Sequence, residues 1–133
     1  MSIRAIKVAT NIPKVKNIAE LKVFHHHIYE YQKGIRNLIL TTEKATHKDY
    51  IEYKLSRENI DYAIQAVNED KINVFFGAKE CVDVIKNFIH KKLNEFTPEQ
   101  DFILGILLGY DRRQQCKRYL SLQYKDNVLS FKK

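Results

Sequence analysis

The sequence predicts an α+β fold: a three-stranded sheet with about five helices, in the order β-α-α-β-β-α-α-α. Three observations predict it. Asp61–Val67 alternates in hydropathy and is followed by a polar turn, Asn68–Lys71, and by the apolar run Ile72–Phe76, the pattern of an antiparallel hairpin. Residues 81–93 carry Cys81, Val82, Ile85, Phe88, Ile89 and Leu93 at helical spacing. Thr97-Pro98-Glu99-Gln100 is a helix start, with a capping threonine, proline in the first turn and glutamine three residues after the cap. Strands and helices that do not alternate along the chain favour an α+β arrangement, with the helices expected on one face of the sheet.

Each element follows in order. Residues 1–20 read as a basic N-terminal extension with room for one short strand, because Asn11-Ile12-Pro13 interrupts any longer element. Leu21–Tyr29 is rich in β-branched and aromatic residues and is expected as a strand. Alternation would place Val23, His25 and His27 on one face and Phe24, His26 and Ile28 on the other. Glu30–Thr42 is expected as a helix from Ile35, Leu38 and Ile39, although Leu38–Thr42 also suits a strand. Thr46, with Asp49 three residues on, opens a helix to about Arg57 that buries Tyr50, Ile51 and Leu55. The hairpin comes next, then Gly77, then the helix from Ala78. Phe102–Leu108 is apolar nearly all round, so it must be central or covered by a second subunit, and a homodimer is expected. Asp111 with Gln114 caps a last helix in which Cys116, Tyr119 and Leu120 face inward. Leu122–Lys133 is expected as a small hairpin around Lys125-Asp126-Asn127. The folded domain thus spans 21–122, followed by a basic tail at 123–133.

The 133 residues are 44% hydrophobic and 29% charged, ordinary for one globular domain and not for a disordered chain. The longest apolar stretch, Phe102–Tyr110, falls short of the roughly 18–20 residues that cross a bilayer. The first residues lack an apolar signal run, and two cysteines do not make a disulfide framework, so a cytoplasmic, reduced protein is expected. The net charge of +7 is uneven: residues 1–20 carry +3, residues 111–133 carry +5, and the middle carries −1. Basic ends on a neutral middle point to an acidic partner as readily as to a solubilising surface.

Two constellations are candidates for chemistry. His25 and His27, two apart on a strand, could reach one metal as neutral imidazoles, with Glu30, His47 or His90 completing the set if the fold brings them close. Without a Cys-x-x-Cys or His-Glu-x-x-His spacing, satisfied interior histidines are the plainer reading. Acid–base work by His25, His27 and Glu30 is the corresponding enzyme reading, and His26 is expected to be packed. The second constellation is Arg112, Arg113, Lys117 and Arg118 on the last helix, with Tyr119 and Tyr124 nearby. Such a face would dock an acidic protein; basic residues among aromatics would also suit single-stranded nucleic acid, though no RNP, KH or helix-turn-helix signature accompanies them. Gly77 between strand and helix reads as a turn rather than an anion cradle, and Cys81 and Cys116 read as small apolar residues. No dinucleotide, P-loop or flavin fingerprint is present, and no cofactor is expected.

HHIYEYQKGIRNLIL (26–40), NVFFG (73–77) and LNEFTPEQDFILGILLGYDRRQQCKRYL (93–120) together resemble the bacterial domain-of-unknown-function family numbered twenty twenty-three. The resemblance covers about residues 21–122, and GYDRRQQCKRYL is its most specific stretch. It implies three strands and five helices paired as a homodimer, and no reaction, cofactor or catalytic residue. It also implies a partner, because genes of this family tend to lie beside a gene for flavodoxin, an acidic electron carrier. The function expected is therefore a non-enzymatic accessory or binding protein for an acidic partner such as flavodoxin. A small metal- or histidine-dependent enzyme and a single-stranded nucleic-acid binder are the alternatives.

Overall fold

A computed structural model describes Pro13, Val15 and residues 18–131, with side chains described as far as Asp126. Eight regular elements follow one another: α1 (Lys22–Gln32), β1 (Leu38–Lys44), α2 (Lys48–Arg57), β2 (Asp61–Ala66), β3 (Lys71–Gly77), α3 (Lys79–Lys86), α4 (Pro98–Leu107) and α5 (Arg112–Phe131). Short 3-10 turns occupy Ile18–Leu21, Ala45–His47 and Leu93–Glu95. The α+β class, the three strands and the five helices stand as expected.

The first two segments exchange types. Residues 21–29 belong to a helix, not a strand, and 38–44 are a strand, not a helix. Leu21, Phe24 and Ile28 bury the inner side of α1 at spacings of three and four, while Val23 is 60% exposed. Gly34 closes that helix. At φ +76° its N–H bonds Tyr31 O and the next N–H, of Ile35, reaches back to Glu30 O, a left-handed cap that glycine adopts without strain. The chain past this cap is free to extend into β1.

The strands lie in the order β1-β3-β2, both pairs antiparallel. Every residue of β3 from Ile72 to Gly77 is buried, because both faces of the sheet are covered. Ile72, Val74 and Phe76 pack with Ile39, Phe24, Ile28, Ile51 and Leu55 under α1 and α2. On the opposite face, Phe75, Leu38 and Ala63 pack with Val82, Ile85, Leu104 and Leu108 from α3 and α4. Helices thus cover two faces rather than the expected one, since INVFF is apolar at four of its five positions and needs cover on both sides. The Asp61–Val67/Ile72–Phe76 hairpin forms as expected, in the register Ile64↔Val74.

Gly77 ends β3 where the chain turns into α3. Its φ is +148°, and a Cβ there would press into the Asn37 carbonyl and lie 3.1 Å from Leu38 Cα. The Asn37 carbonyl instead accepts the Ala78 N–H at 2.9 Å. The turn reading of Gly77 accounts for it. α3 stops at Lys86, before the expected Leu93, and the following turns still bury Phe88.

The expected C-terminal hairpin is absent from the described chain: residues 122–131 continue α5, and residue 123, where the basic tail was expected to begin, lies inside that helix. Residues 111–131 contain neither glycine nor proline, so nothing in them stops a helix. Most of residues 1–20, where one short strand was expected, lies outside the described residues, and Ile18–Leu21, which is described, is a 3-10 turn.

Candidate functional site

The histidines come first. Residues two apart on a helix project about 200° apart, so α1 sends His25 and His27 to different sides. His25 Nε2 lies 3.0 Å from the Tyr50 hydroxyl, between α1 and α2. Partial burial there, reinforced by the nearby Lys54 charge, pulls its imidazole below the ordinary value. His27 Nδ1 lies 3.1 Å from Glu30 Oε1, and exposed His26 approaches the same oxygen at 3.6 Å. The structure therefore joins Glu30 to His27 and His26, and parts it from His25. His47 is held by Glu20 at 3.4 Å, and His90 is exposed at the surface. The shared strand face on which the metal reading rested does not exist. Among the described residues no three His, Cys, Asp or Glu side chains are grouped to hold a metal ion.

The basic helix comes next. Asp111 Oδ1 accepts the Gln114 N–H at 2.8 Å and starts α5, as the sequence predicts. The helix packs on α4 through one stripe. Gln115 fills the space over Gly105, and Tyr119 meets Phe102 edge-on with ring centres 5.4 Å apart. Arg118 holds both oxygens of Asp101, at 2.8 and 3.0 Å. That ion pair raises the Arg118 pKa, while loss of solvation and neighbouring Glu99 push the Tyr119 hydroxyl up. The contact stripe of Gln115, Arg118 and Tyr119 is largely polar, so hydropathy alone misplaces the inner face. Tyr119 faces inward as expected, but Cys116 and Leu120 are exposed.

The four predicted docking cations thus divide. Arg112, Arg113 and Lys117 are exposed and form no ion pair among the described residues. Arg118 is engaged by α4 and orients the helix. Spacing places Arg113, Lys117, Leu120 and Tyr124 on one outward stripe, at i, i+4, i+7 and i+11.

Sequence reasoning missed a polar ladder across the sheet. Thr42 Oγ1 donates to Asn73 Oδ1 at 2.7 Å, and Asn73 Nδ2 donates to Gln65 Oε1 at 3.0 Å. Gln65 Nε2 donates to the carbonyls of Ile89, at 2.9 Å, and Lys91. Thr42, Gln65 and Asn73, with Ala66, Val67, Lys92, Leu93 and Asn94, line a cleft of about 460 Å³. The ladder groups satisfy one another, so they fix the 89–91 turn to the sheet. Its signal was the pair Gln65 and Asn73, opposite each other once the hairpin register is known.

The pattern of the family described as "Protein of unknown function (DUF2023)" matches residues 22–122. The chain belongs to that family. The DUF2023 match runs from α1 through the first half of α5, and so includes Arg112, Arg113, Lys117 and Arg118. No curated protein matches the chain. Among the described residues, no helix of this DUF2023 protein is long and apolar enough to cross a membrane.

Proposed function

We propose that this DUF2023 protein is a non-enzymatic binding or accessory protein that docks an acidic protein on the outer side of α5. The observation that carries the reading is the placement of Arg112 and Arg113. They occupy the first turn of α5, which holds no acidic residue, while Lys117 follows one turn later. Cations at the positive end of a helix dipole are unfavourable, by about 0.3–1 kcal/mol each at the surface. Asp111 at the cap offsets part of that cost, yet Arg112, Arg113 and Lys117 form no ion pair among the described residues, and unpaired cations gathered at one helix end suit an acidic partner. An acidic partner relieves the repulsion and gains the Coulomb attraction.

Flavodoxin is the acidic partner that the family resemblance suggests, and the net charge of +7 complements it. The test is a titration of the full chain against a flavodoxin from the source organism, at low and at high salt. Binding at low salt that weakens steeply with added salt is expected. The Arg112→Gln/Arg113→Gln/Lys117→Gln variant should bind about tenfold more weakly at low salt and respond less to salt. Failure to bind at low salt, or a triple variant that binds as the native chain does, would refute the reading.

A further inference from the structure

Leu120 is 61% exposed and Tyr124 is 70% exposed. They stand one turn apart on the same outward stripe as Arg113 and Lys117, about 16 Å from end to end. α4 covers the opposite side of the helix, through Gln115, Arg118 and Tyr119. The stripe therefore reads as two cations followed by two large apolar anchors.

We propose that α5 docks as a helix in a groove: Leu120 and Tyr124 insert into an apolar groove of an acidic protein, and carboxylates at one end of that groove meet Arg113 and Lys117. This inference rests on the docking reading above and adds the mode and the anchoring residues. Charge decides the occupant. A second copy pairing through the same α5 stripe would offer it no carboxylate, because residues 113–125 contain none and helical spacing puts Asp111 and Asp126 on the far side of α5. Single-stranded nucleic acid could stack on Tyr124 but would leave Leu120 in water. Only a protein with both an apolar groove and an acidic end uses all four side chains. In such a contact the buried aliphatic and aromatic anchors set the lifetime of the complex, while the exposed cations set the encounter rate.

The probe is the same flavodoxin, followed by association and dissociation kinetics at low and high salt. Two variants are compared, Leu120→Ser/Tyr124→Ser and Arg113→Gln/Lys117→Gln. Both change exposed side chains, and matching thermal unfolding curves confirm that each folds. The apolar pair is expected to raise Kd by about tenfold or more at both salts, through faster dissociation. The charged pair is expected to raise Kd at low salt alone, through slower association. If the apolar pair stays within about twofold of the native chain while the charged pair weakens, the groove mode is overturned and the electrostatic docking reading stands. If the native chain does not bind at low salt, both fall together. If a single-stranded oligonucleotide binds more tightly than flavodoxin, with Leu120→Ser silent, the protein-groove assignment is overturned.

Discussion

Replacing Gly77 with alanine tests how the central strand is joined to the helix layer. Gly77 is fully enclosed, paired with Leu38 on one side and Asp61 on the other. At φ +148° a side chain is strained, which costs about 1–3 kcal/mol. The new methyl also meets the Asn37 carbonyl and Leu38 Cα, and both are backbone, so the start of β1 must move. Displacing packed structure of this kind costs about 1–3 kcal/mol, and the Ala78 N–H to Asn37 O bond weakens by about 1 kcal/mol more. The expected loss is about 3–7 kcal/mol, against a total stability of about 5–15 kcal/mol for a domain of this size. Gly34→Ala is the control, because Gly34 also has a positive φ, +76°, but open space around it. It should lose only about 1 kcal/mol. Urea unfolding of the two variants, with unchanged m-values, reads the difference. If Gly77→Ala lies within about 1 kcal/mol of Gly34→Ala, the close approach to Asn37 is not what requires glycine, and the reasoning fails.

Three further perturbations test other parts of the account. Thr97→Ala removes the side chain that accepts the Gln100 N–H at 3.1 Å and should cost about 1 kcal/mol in urea unfolding. Asn73→Ala leaves the buried Gln65 Oε1 without its donor and should cost about 1–3 kcal/mol; Thr42→Val alone, which deletes only the exposed outer rung, should cost less. His25 is held below its ordinary pKa of 6.5 by burial and by Lys54, so the unfolded chain binds its proton first as pH falls. The stability it contributes is complete above that value and declines as pH drops toward the lower folded one. Unfolding free energies between about pH 7 and about pH 5 should therefore fall in the native chain and fall less in His25→Gln, and equal slopes would contradict this.

The parts of the fold that local chemistry dictates were legible. Thr97 and Gln100 form the reciprocal cap that their spacing predicts, at 3.0 and 3.1 Å, and the hairpin around Asn68–Lys71 follows from alternation and a polar turn. The Leu21–Tyr29 segment was not, because VFHHHIY favours strands by composition while Leu21, Phe24 and Ile28 favour a helix by spacing. Tertiary cover and the Gly34 cap decide between them. Once α1 is a helix, His25 and His27 separate, so an error in one element removes a whole site. The exposed state of Arg112, Arg113 and Lys117 was readable from their helix. The capture of Arg118 was not, since Asp101 lies 17 residues away and meets it only when α5 folds back on α4. For the same reason Leu120 was misplaced: an inner stripe of Gln115, Arg118 and Tyr119 leaves no hydropathy signal to orient the helix.

The central claim is that the outer side of α5 meets an acidic protein. Amide hydrogen exchange of the full chain, with and without flavodoxin at low salt, tests it most directly. The account predicts added protection concentrated in residues 112–124, strongest around Leu120 and Tyr124, and its loss at high salt. Protection confined to α1 or to the sheet edges, with α5 unchanged, would contradict it.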